Sequence, residues 1–208
     1  MKRLLAGLAM TALAFPVVVL AQKGGVTAAG WQTRLDRGSD ASGVLSFMSM
    51  GTGVHATTGP AGAGVFWRPG DMAKGNYAIG ASFRLMEPSN HENGYGLIIG
   101  GSDLSGPNQR YTYFLVSQNG RFLIKRHNGT QTTDVVDWTM HASINRPDAK
   151  GTSANVLSVE AGANQVRFLV NGTEVSSQPR SAVDADGIAG IRVNHFLNVH
   201  IDDLKLGM

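Results

Sequence analysis

The sequence has 208 residues, a formal net charge of +3 and no cysteine. The lack of cysteine excludes disulfides, thiolate metal sites and cysteine nucleophiles. Only 16% of the residues are charged and the basic ones are scattered, so the composition does not predict binding to nucleic acid.

The first segment, Met1–Ala21, has the pattern of a secretory signal peptide. Lys2 and Arg3 precede a long uncharged run, and Val19–Ala21 supplies the small or modest residues of a cleavage site. Loss of Lys2 and Arg3 would leave a net charge of +1. We therefore expect a bacterial protein that is periplasmic or secreted, with no membrane association after cleavage. Residues 22–208 are long enough for one domain with a sizeable core.

Beyond this segment the chain carries strand patterns and no sustained helical pattern. Short runs rich in Val, Ile, Phe, Tyr and Thr are separated by clusters of Gly, Asn, Asp and Pro. About a dozen such strands with hairpin connections predict an all-β fold, an antiparallel two-sheet jelly-roll sandwich. The predicted strands are Val44–Met50, Gly64–Arg68, Tyr77–Leu85, Gly96–Ile99, Tyr111–Gln118, Arg121–His127, Asp134–Trp138, Val156–Glu160, Gln165–Val170, Thr173–Ser177, Ile188–Val193 and Val199–Leu206.

A glycine-bracketed stretch, Gly94–Leu104, raises the alternative of a phosphate-binding loop. A dinucleotide fingerprint needs a third glycine at the sixth position and a helix behind it, but Ile99 stands there and a loop with proline follows. The stretch therefore predicts a buried strand that leads into a polar loop.

Two Asn-Gly pairs connect predicted strands directly. Asn119-Gly120 and Asn171-Gly172 each lie between two runs of strand type. Because a type I′ turn needs positive φ at both central residues, and Asn and Gly tolerate it best, we expect type I′ hairpins at both places.

The order of the later segments resembles a known fold family. The segments "YAIGASFRLMEP", "ENGYGLIIGGSDL", "YTYFLVSQNGRFLIKR", "NVLSVEAGANQVRFLVNGTEV" and "DGIAGIRVNHFLNVHIDDLKL" follow one another within Ala73–Leu206. In this order they resemble the concanavalin A-like (LamG-type) jelly-roll domains, and most of all the bacterial 3-keto-disaccharide hydrolase domain family. Members of that family usually carry an Arg-bearing strand and a Gly-Tyr-Glu strand where this chain has "NGYGLIIGG".

Three functions follow as alternatives. The first is glycan recognition by an exported β-sandwich domain, with a glycan or small saccharide as the partner. The second, implied by the resemblance, is a hydrolase or lyase that acts on 3-keto or other modified glycosides. The third is a structural or adhesion module of the cell envelope. The sequence contains no signal for an oligomeric state.

Candidate ligand-binding residues come from a polar loop, a strand end and the aromatic side chains. The loop Ser102–Arg110 gathers hydrogen-bonding groups between two apolar strands, and Arg, Asn and His follow one another where a late strand ends. Aromatic rings could stack on sugars, although the sequence does not fix which face of the strand Tyr111–Gln118 points inward. The candidates are Tyr95, Asp103, Asn108, Gln109, Arg110, Tyr113, Arg126, Arg192, Asn194 and His195.

Metal and cofactor signals are weak. No HExxH or similar histidine spacing predicts zinc, and no cofactor motif is present. A hard cation needs six or more oxygen ligands from several loops, which leaves calcium, with Asp103 or Asp71 contributing, as an open alternative. Glu87 and Glu92 flank His91 in one polar loop. Because surface loops are usually polar, these two glutamates do not by themselves indicate the carboxylate pair of a glycosidase.

Overall fold

The computed structural model describes residues 25–26, 28–37 and 45–207, apart from the side chain of Asp203. The predicted signal peptide lies outside the described residues. These residues form fifteen strands and a short 3₁₀ helix, Arg180–Ala182, and they contain no α-helix. The strands are β1 (Gly25–Val26), β2 (Gln32–Leu35), β3 (Ser46–Met50), β4 (Gly53–Thr57), β5 (Gly64–Ala73), β6 (Tyr77–Glu87), β7 (Gly94–Ser102), β8 (Arg110–Ser117), β9 (Arg121–Asn128), β10 (Gln131–Met140), β11 (Ser153–Ala161), β12 (Gln165–Val170), β13 (Thr173–Pro179), β14 (Gly187–Val193) and β15 (Asn198–Gly207).

The strands form two sheets that pack face to face. Sheet I has eight strands in the order β1-β3-β4-β15-β6-β11-β12-β13, and sheet II has seven in the order β10-β9-β8-β7-β14-β5-β2. Every described pairing is antiparallel except that of β1 with β3. The predicted all-β, antiparallel two-sheet sandwich is therefore confirmed. No helix of the described residues is long and apolar enough to cross a membrane.

Alternating side chains fill the space between the sheets. On β8, Phe114 and Val116 belong to the main core with residues of sheet I such as Phe168 and Leu157. Tyr111 and Tyr113 point away from that core, because neighbouring residues of a strand face opposite sides of the sheet. The structure thus decides the orientation of β8 that the sequence left open.

A second apolar cluster covers the outer face of sheet II. It contains Leu104, which the loop after β7 folds back onto the sheet, and its members are at most 8% exposed. Trp138 and Ile188 pack against it from the side. The outer face of sheet II is therefore closely packed, unlike an open polar surface. The members of this cluster are Val65, Trp67, Ile98, Leu104, Tyr111, Tyr113, Leu115 and Leu123.

The glycine-rich stretch forms β7 and the turn that follows. Gly100 has a φ of +65°, and a Cβ atom there would lie 2.2 Å from the carbonyl oxygen of Asp184. Only glycine fits this combination of left-handed backbone and close contact. The glycines therefore serve close strand packing, as the sequence predicted for a strand.

Candidate functional site

Several loops meet at one end of the sandwich. The register pairs Leu35 with Gly64, Gly64 with Val193, and Val193 with Tyr95. The chain after β2, before β5, after β14 and before β7 therefore comes together at this end. The turn after β6 joins them, because Glu87 pairs with Asn198 at the start of β15.

Two clefts lie at this end, on either side of Phe196. The first, which we name the Arg192 cleft, has a volume of about 470 Å³ and is lined by Asp36, Arg37, Pro60, Ala61, Ala63, Arg192, Asn194, His195 and Phe196. The second has a volume of about 460 Å³, and Glu87, His91, Phe196 and Asn198 are among its lining residues. The Arg192 cleft is the candidate site, because it brings together Arg192, Asn194 and His195, three of the residues that the sequence predicted to bind ligand.

The floor of the Arg192 cleft is an ion pair between the buried Arg192 and the exposed Asp36. Arg192 donates from Nη1 to Oδ1 of Asp36 at 3.0 Å and from Nη2 to Oδ2 at 2.5 Å, the bidentate geometry that suits a guanidinium and a carboxylate. Nη1 also lies 3.2 Å from the hydroxyl of Tyr111, and the guanidinium carbon is 5.0 Å from the ring centre of Tyr113. Burial opposes the charge, but Tyr111 and Asp36 favour it, so the pKa of Arg192 stays above its ordinary value.

These contacts also change the tyrosines. Burial raises the pKa of Tyr111 to about 12, so its hydroxyl is neutral at physiological pH. His127 stacks on its ring with centroids 4.9 Å apart. Arg192 and His127 therefore cover the two tyrosine rings, which do not form an open stacking platform in this structure.

Phe196 forms the wall between the two clefts. Its φ of +55° is a left-handed conformation that costs a bulky residue roughly 1–3 kcal/mol, yet its side chain is 39% exposed. The ring stacks on His91 with centroids 4.9 Å apart, and His195 lies 5.3 Å away edge-on. A strained backbone that presents an exposed ring is a feature of functional sites more than of stable turns.

Hydrogen bonds hold the Phe196 turn in place. Thr58 donates from its hydroxyl to the carbonyl oxygen of Asn194 at 2.6 Å and accepts from the backbone of Leu197 at 3.0 Å. Asn93 donates from Nδ2 to the carbonyl oxygen of His195 at 2.6 Å. The turn is therefore fixed before any ligand binds, which lowers the entropy lost on binding.

Two groups in the cleft keep unused hydrogen-bonding capacity. Nε of Arg192 and Oδ1 of Asn194 are buried and have no hydrogen-bond partner among the described residues. Burial lowers the pKa of His195, and the nearby His91 and Arg37 lower it further. His195 is consequently neutral at pH 7, with one ring nitrogen able to donate and the other able to accept.

Three of the sequence candidates come together here. Arg192, Asn194 and His195 line one cleft, and Tyr113 lies directly under Arg192. Asp36 and Phe196 were missed by the sequence reasoning. Asp36 follows a strand that was not predicted, while Phe196 is adjacent to His195 and its exposure depends on a backbone conformation that sequence does not reveal.

A second group of candidates lies at the other end of the sandwich. Arg110 and Arg126 both bind the carboxylate of Asp184, at 2.7 and 3.1 Å. Asp103 turns back into its own loop, where Oδ2 accepts from the backbone of Asn108 at 2.9 Å. The loop is held from β2 as well, since Arg34 donates to the carbonyl oxygens of Ser105 and Gly106 at 2.8 Å.

These contacts give most of the second group structural partners. Gln109 is buried and its carbonyl oxygen accepts from the backbone of Gly129 at 2.8 Å, whereas Asn108 is exposed. The structure therefore does not join Asp103, Asn108, Gln109, Arg110 and Arg126 to the Arg192 cleft.

Tyr95 requires a correction. Its side chain is fully buried in the main core, near Phe83 with ring centroids 5.9 Å apart, and burial raises the pKa of its hydroxyl. Because it faces sheet I and has no exposed surface, it cannot contact a ligand. The sequence candidate was wrong because a strand with apolar residues on both sides gives no sign of which aromatic faces inward.

The cleft lacks the carboxylate pair of a glycosidase. β7, β8 and β14, the central strands of sheet II, contain no Asp or Glu. Asp36 shares the cleft with His195, but Arg192 binds both of its oxygens. Glycoside hydrolysis through two carboxylates about 5–10 Å apart thus has no matching arrangement among the described residues of this cleft.

The described residues show no group of three or more His, Cys, Asp or Glu side chains placed to hold a metal ion. Asp71 binds Arg68 at 2.7 Å, and Asp103 is engaged in its loop. Neither contact tests calcium binding, which stays a prediction.

Solved structures of carbohydrate-related proteins share this fold. The carbohydrate binding module CBM66 from Bacillus subtilis matches with a TM-score of 0.62 and 11% identity, over 89% of this chain and 99% of that one. A glycoside hydrolase family 16 endo-glucanase from Bacteroides ovatus matches with a TM-score of 0.57 and 14% identity, over 85% and 94%. At such identities the likeness establishes a jelly-roll sandwich of the concanavalin A-like type.

No protein-family model matches the sequence, and no curated protein matches it. The resemblance to the 3-keto-disaccharide hydrolase domains therefore stays a prediction.

Proposed function

We propose that this protein is an exported carbohydrate-binding domain that holds a saccharide in the Arg192 cleft. The observation that carries the proposal is an exposed aromatic ring, Phe196, fixed in a cleft whose lining includes Asn194 and His195. The shared fold supports a saccharide ligand, because the solved neighbours include a carbohydrate binding module and an endo-glucanase.

The chemistry of the cleft suits a sugar. The face of Phe196 can stack on the apolar face of a pyranose ring. Sugar hydroxyls both donate and accept hydrogen bonds, so they suit a cleft lined by the polar side chains of Asp36, Arg37 and Asn194. His195 adds a neutral ring with both functions.

Binding is favoured over catalysis by the state of the acidic groups. The carboxylate of Asp36 is occupied by Arg192, and the central strands of sheet II supply no second one. Hydrolysis of 3-keto-glycosides remains the alternative that the family resemblance implies. Turnover of a 3-keto-disaccharide by the purified protein, with products resolved by chromatography, would overturn the proposal of a binding domain.

A glycan array on the mature protein tests the proposal. We expect at least one saccharide to bind, and Phe196→Ala to weaken that binding roughly tenfold through loss of the stacking contact. The melting temperature of this variant should change by only a few degrees, roughly as for surface substitutions.

Met72→Ala is the matched control. Met72 is also an exposed apolar residue, 59% exposed, but it lies at the opposite end of β5. It should bind like the wild type. Wild-type affinity of Phe196→Ala, or an array with no bound saccharide, would contradict the proposal. If neither saccharide binding nor turnover is observed, a structural or adhesion role in the cell envelope becomes the favoured function.

A further inference from the structure

Four side chains form a row across the outer face of sheet I. The register pairs Met48 with His55, His55 with His200, and His200 with Arg84. Directly paired residues of adjacent strands lie on the same face, with Cβ atoms about 4.5–5.5 Å apart. Two imidazoles are therefore neighbours on this face, with a thioether on one side and a guanidinium on the other.

The tautomer of His200 is fixed by an acidic neighbour. Nε2 of His200 lies 3.1 Å from Oδ2 of Asp202. An ionised carboxylate only accepts hydrogen bonds, so Nε2 carries the hydrogen and Nδ1 keeps the lone pair. A metal-binding histidine usually donates a hydrogen bond from its other ring nitrogen to an acceptor such as a carboxylate.

Three polar atoms around this pair are buried without partners. They are Nδ1 of His200, Nδ1 of His55 and Oδ1 of Asn198. Asn198 precedes His200 by two positions on β15 and pairs with Thr57, two positions after His55 on β4, so the three side chains share one face of sheet I. Buried polar atoms without partners are costly, so each such atom in a native structure calls for an explanation, of which a bound ion is one.

The spacing of the rings fits one shared ion. The ring centroids of His55 and His200 are 5.9 Å apart. A transition metal binds an imidazole nitrogen at about 2.0–2.1 Å, which places a ring centre roughly 3 Å from the ion and lets centroids roughly 6 Å apart share it. Asn198 also lines the second cleft beside Phe196.

We propose that His55 and His200 bind one divalent first-row transition metal, of the kind that prefers imidazole, such as Cu²⁺ or Zn²⁺. Asn198, on the same face of β15 as His200, offers Oδ1 as a further ligand, and Met48 is in register to offer a soft thioether. Asp202 is a positioning residue that acts through His200. The two imidazoles are the strong ligands of this site, which is smaller than the groups of three or more His, Cys, Asp or Glu side chains that the described residues lack.

The chemistry predicts a defined order of affinity. Imidazole sites follow the general order in which Cu²⁺ exceeds Zn²⁺, while Ca²⁺ needs many oxygen ligands and should not bind here. The test is calorimetric titration of the mature protein, free of any histidine tag, with CuSO₄, ZnCl₂ and CaCl₂ in separate runs. We expect one equivalent of Cu²⁺ or Zn²⁺, the former bound more tightly. Electron paramagnetic resonance of the Cu²⁺ form should show coupling to two imidazole nitrogens.

Single variants assign the ligands. His55→Gln and His200→Gln should each abolish stoichiometric binding, and Asp202→Asn should weaken it by about 10–100-fold, as for other second-sphere carboxylates. His141→Gln is the matched control, since His141 lies in a turn with Ser143 as its partner, and it should bind like the wild type.

Three results would overturn the site. The first is that the wild type takes up neither Cu²⁺ nor Zn²⁺ at millimolar concentration. The second is that His55→Gln and His200→Gln take up as much metal as the wild type. The third is that the wild type binds Ca²⁺ as tightly as Cu²⁺ or Zn²⁺. Circular dichroism of each metal-free variant shows whether it is folded. If either glutamine variant proves unfolded, Asp202→Asn and the copper spectrum of the wild type decide the question, because a spectrum without two nitrogen couplings contradicts the ligand set.

Discussion

Arg192 and Asp36 lie 156 positions apart in the chain and form a bidentate pair under the candidate site. The two partners differ in burial: the side chain of Arg192 is 10% exposed, whereas that of Asp36 is 38% exposed. An isolated charge is costly only where water cannot reach it. The two halves of the ion pair should therefore respond differently to removal of the other.

Asp36→Asn and Arg192→Met make this difference measurable. Asp36→Asn leaves a buried guanidinium without its counter-charge and should lower the free energy of unfolding by about 3 kcal/mol. Arg192→Met leaves Asp36 in contact with water and keeps an apolar cover over Tyr113. We therefore expect it to lower the free energy of unfolding by only about 1 kcal/mol. Urea denaturation of both variants is the measurement. If Arg192→Met lost as much unfolding free energy as Asp36→Asn, or more, the difference in burial would not explain the cost of removing each partner.

The two Asn-Gly hairpins differ at the level of the strand pair. Asn171 and Gly172 both have positive φ, 51° and 78°, so the predicted type I′ turn between β12 and β13 is confirmed. At Asn119-Gly120 only Gly120 has positive φ, and its backbone donates to the carbonyl oxygen of Ser117 at 3.1 Å. The second prediction was wrong, because this loop uses one more residue than a type I′ hairpin.

Alanine at each asparagine distinguishes the two turns. Asn171→Ala forces a positive φ on alanine. It also removes the hydrogen bond that Nδ2 of Asn171 donates to the carbonyl oxygen of Ser143 and the one that its Oδ1 accepts from the backbone of Val156. We therefore expect the free energy of unfolding to fall by about 2 kcal/mol. Asn119→Ala changes an exposed residue with ordinary φ and should cost less than about 0.5 kcal/mol. Thermal or urea unfolding of both proteins gives the comparison. Similar losses in the two variants would mean that turn conformation does not control hairpin stability here.

Titration of the whole molecule is shaped by three histidines in different places. His55 lies on sheet I, His127 on the outer face of sheet II and His195 at the candidate site. Burial is the main cause of a lowered pKa for each of them. Between the lowered folded value and the unfolded value of about 6.5, the unfolded chain binds more protons. The stability that these neutral histidines contribute is therefore complete above the unfolded pKa of about 6.5 and is lost as the pH falls below it.

We expect the melting temperature to fall as the pH is lowered from 7 to 5. This window is separate from that of the carboxylates, since Asp148 and Asp186, with lowered pKa values, lose their contribution only below about pH 4. Calorimetric scans at several pH values check the trend, and His127→Gln should make it shallower. A melting temperature that is constant or rises between pH 7 and 5 would contradict the assignment.

Much of the fold was predictable because strand and turn signals are local. All twelve predicted strands overlap strands of the structure, whereas β1, β2 and β4 were not predicted. Two of these, β1 and β2, have only two and four residues, and the third, "GVHAT", has few β-branched or aromatic residues. Because β2 was not predicted, Asp36, which follows it, was not recognised as a candidate site residue.

The candidate site was predictable only in part, for the same physical reason. Arg192, Asn194 and His195 are adjacent in the chain, so a sequence pattern reveals them together. The partners Asp36 and His91 come from distant loops, and the exposure of Phe196 depends on a backbone angle.

The sequence by itself determined the class of fold, since alternation of apolar residues and turn-forming residues acts over a few positions. It also determined which chemistry is excluded, because no cysteine is present. Only the tertiary structure decided which side of β8 forms the core, that Tyr95 is buried, and which polar groups share a cleft. Those outcomes depend on contacts between residues far apart in the chain, and no local pattern records them.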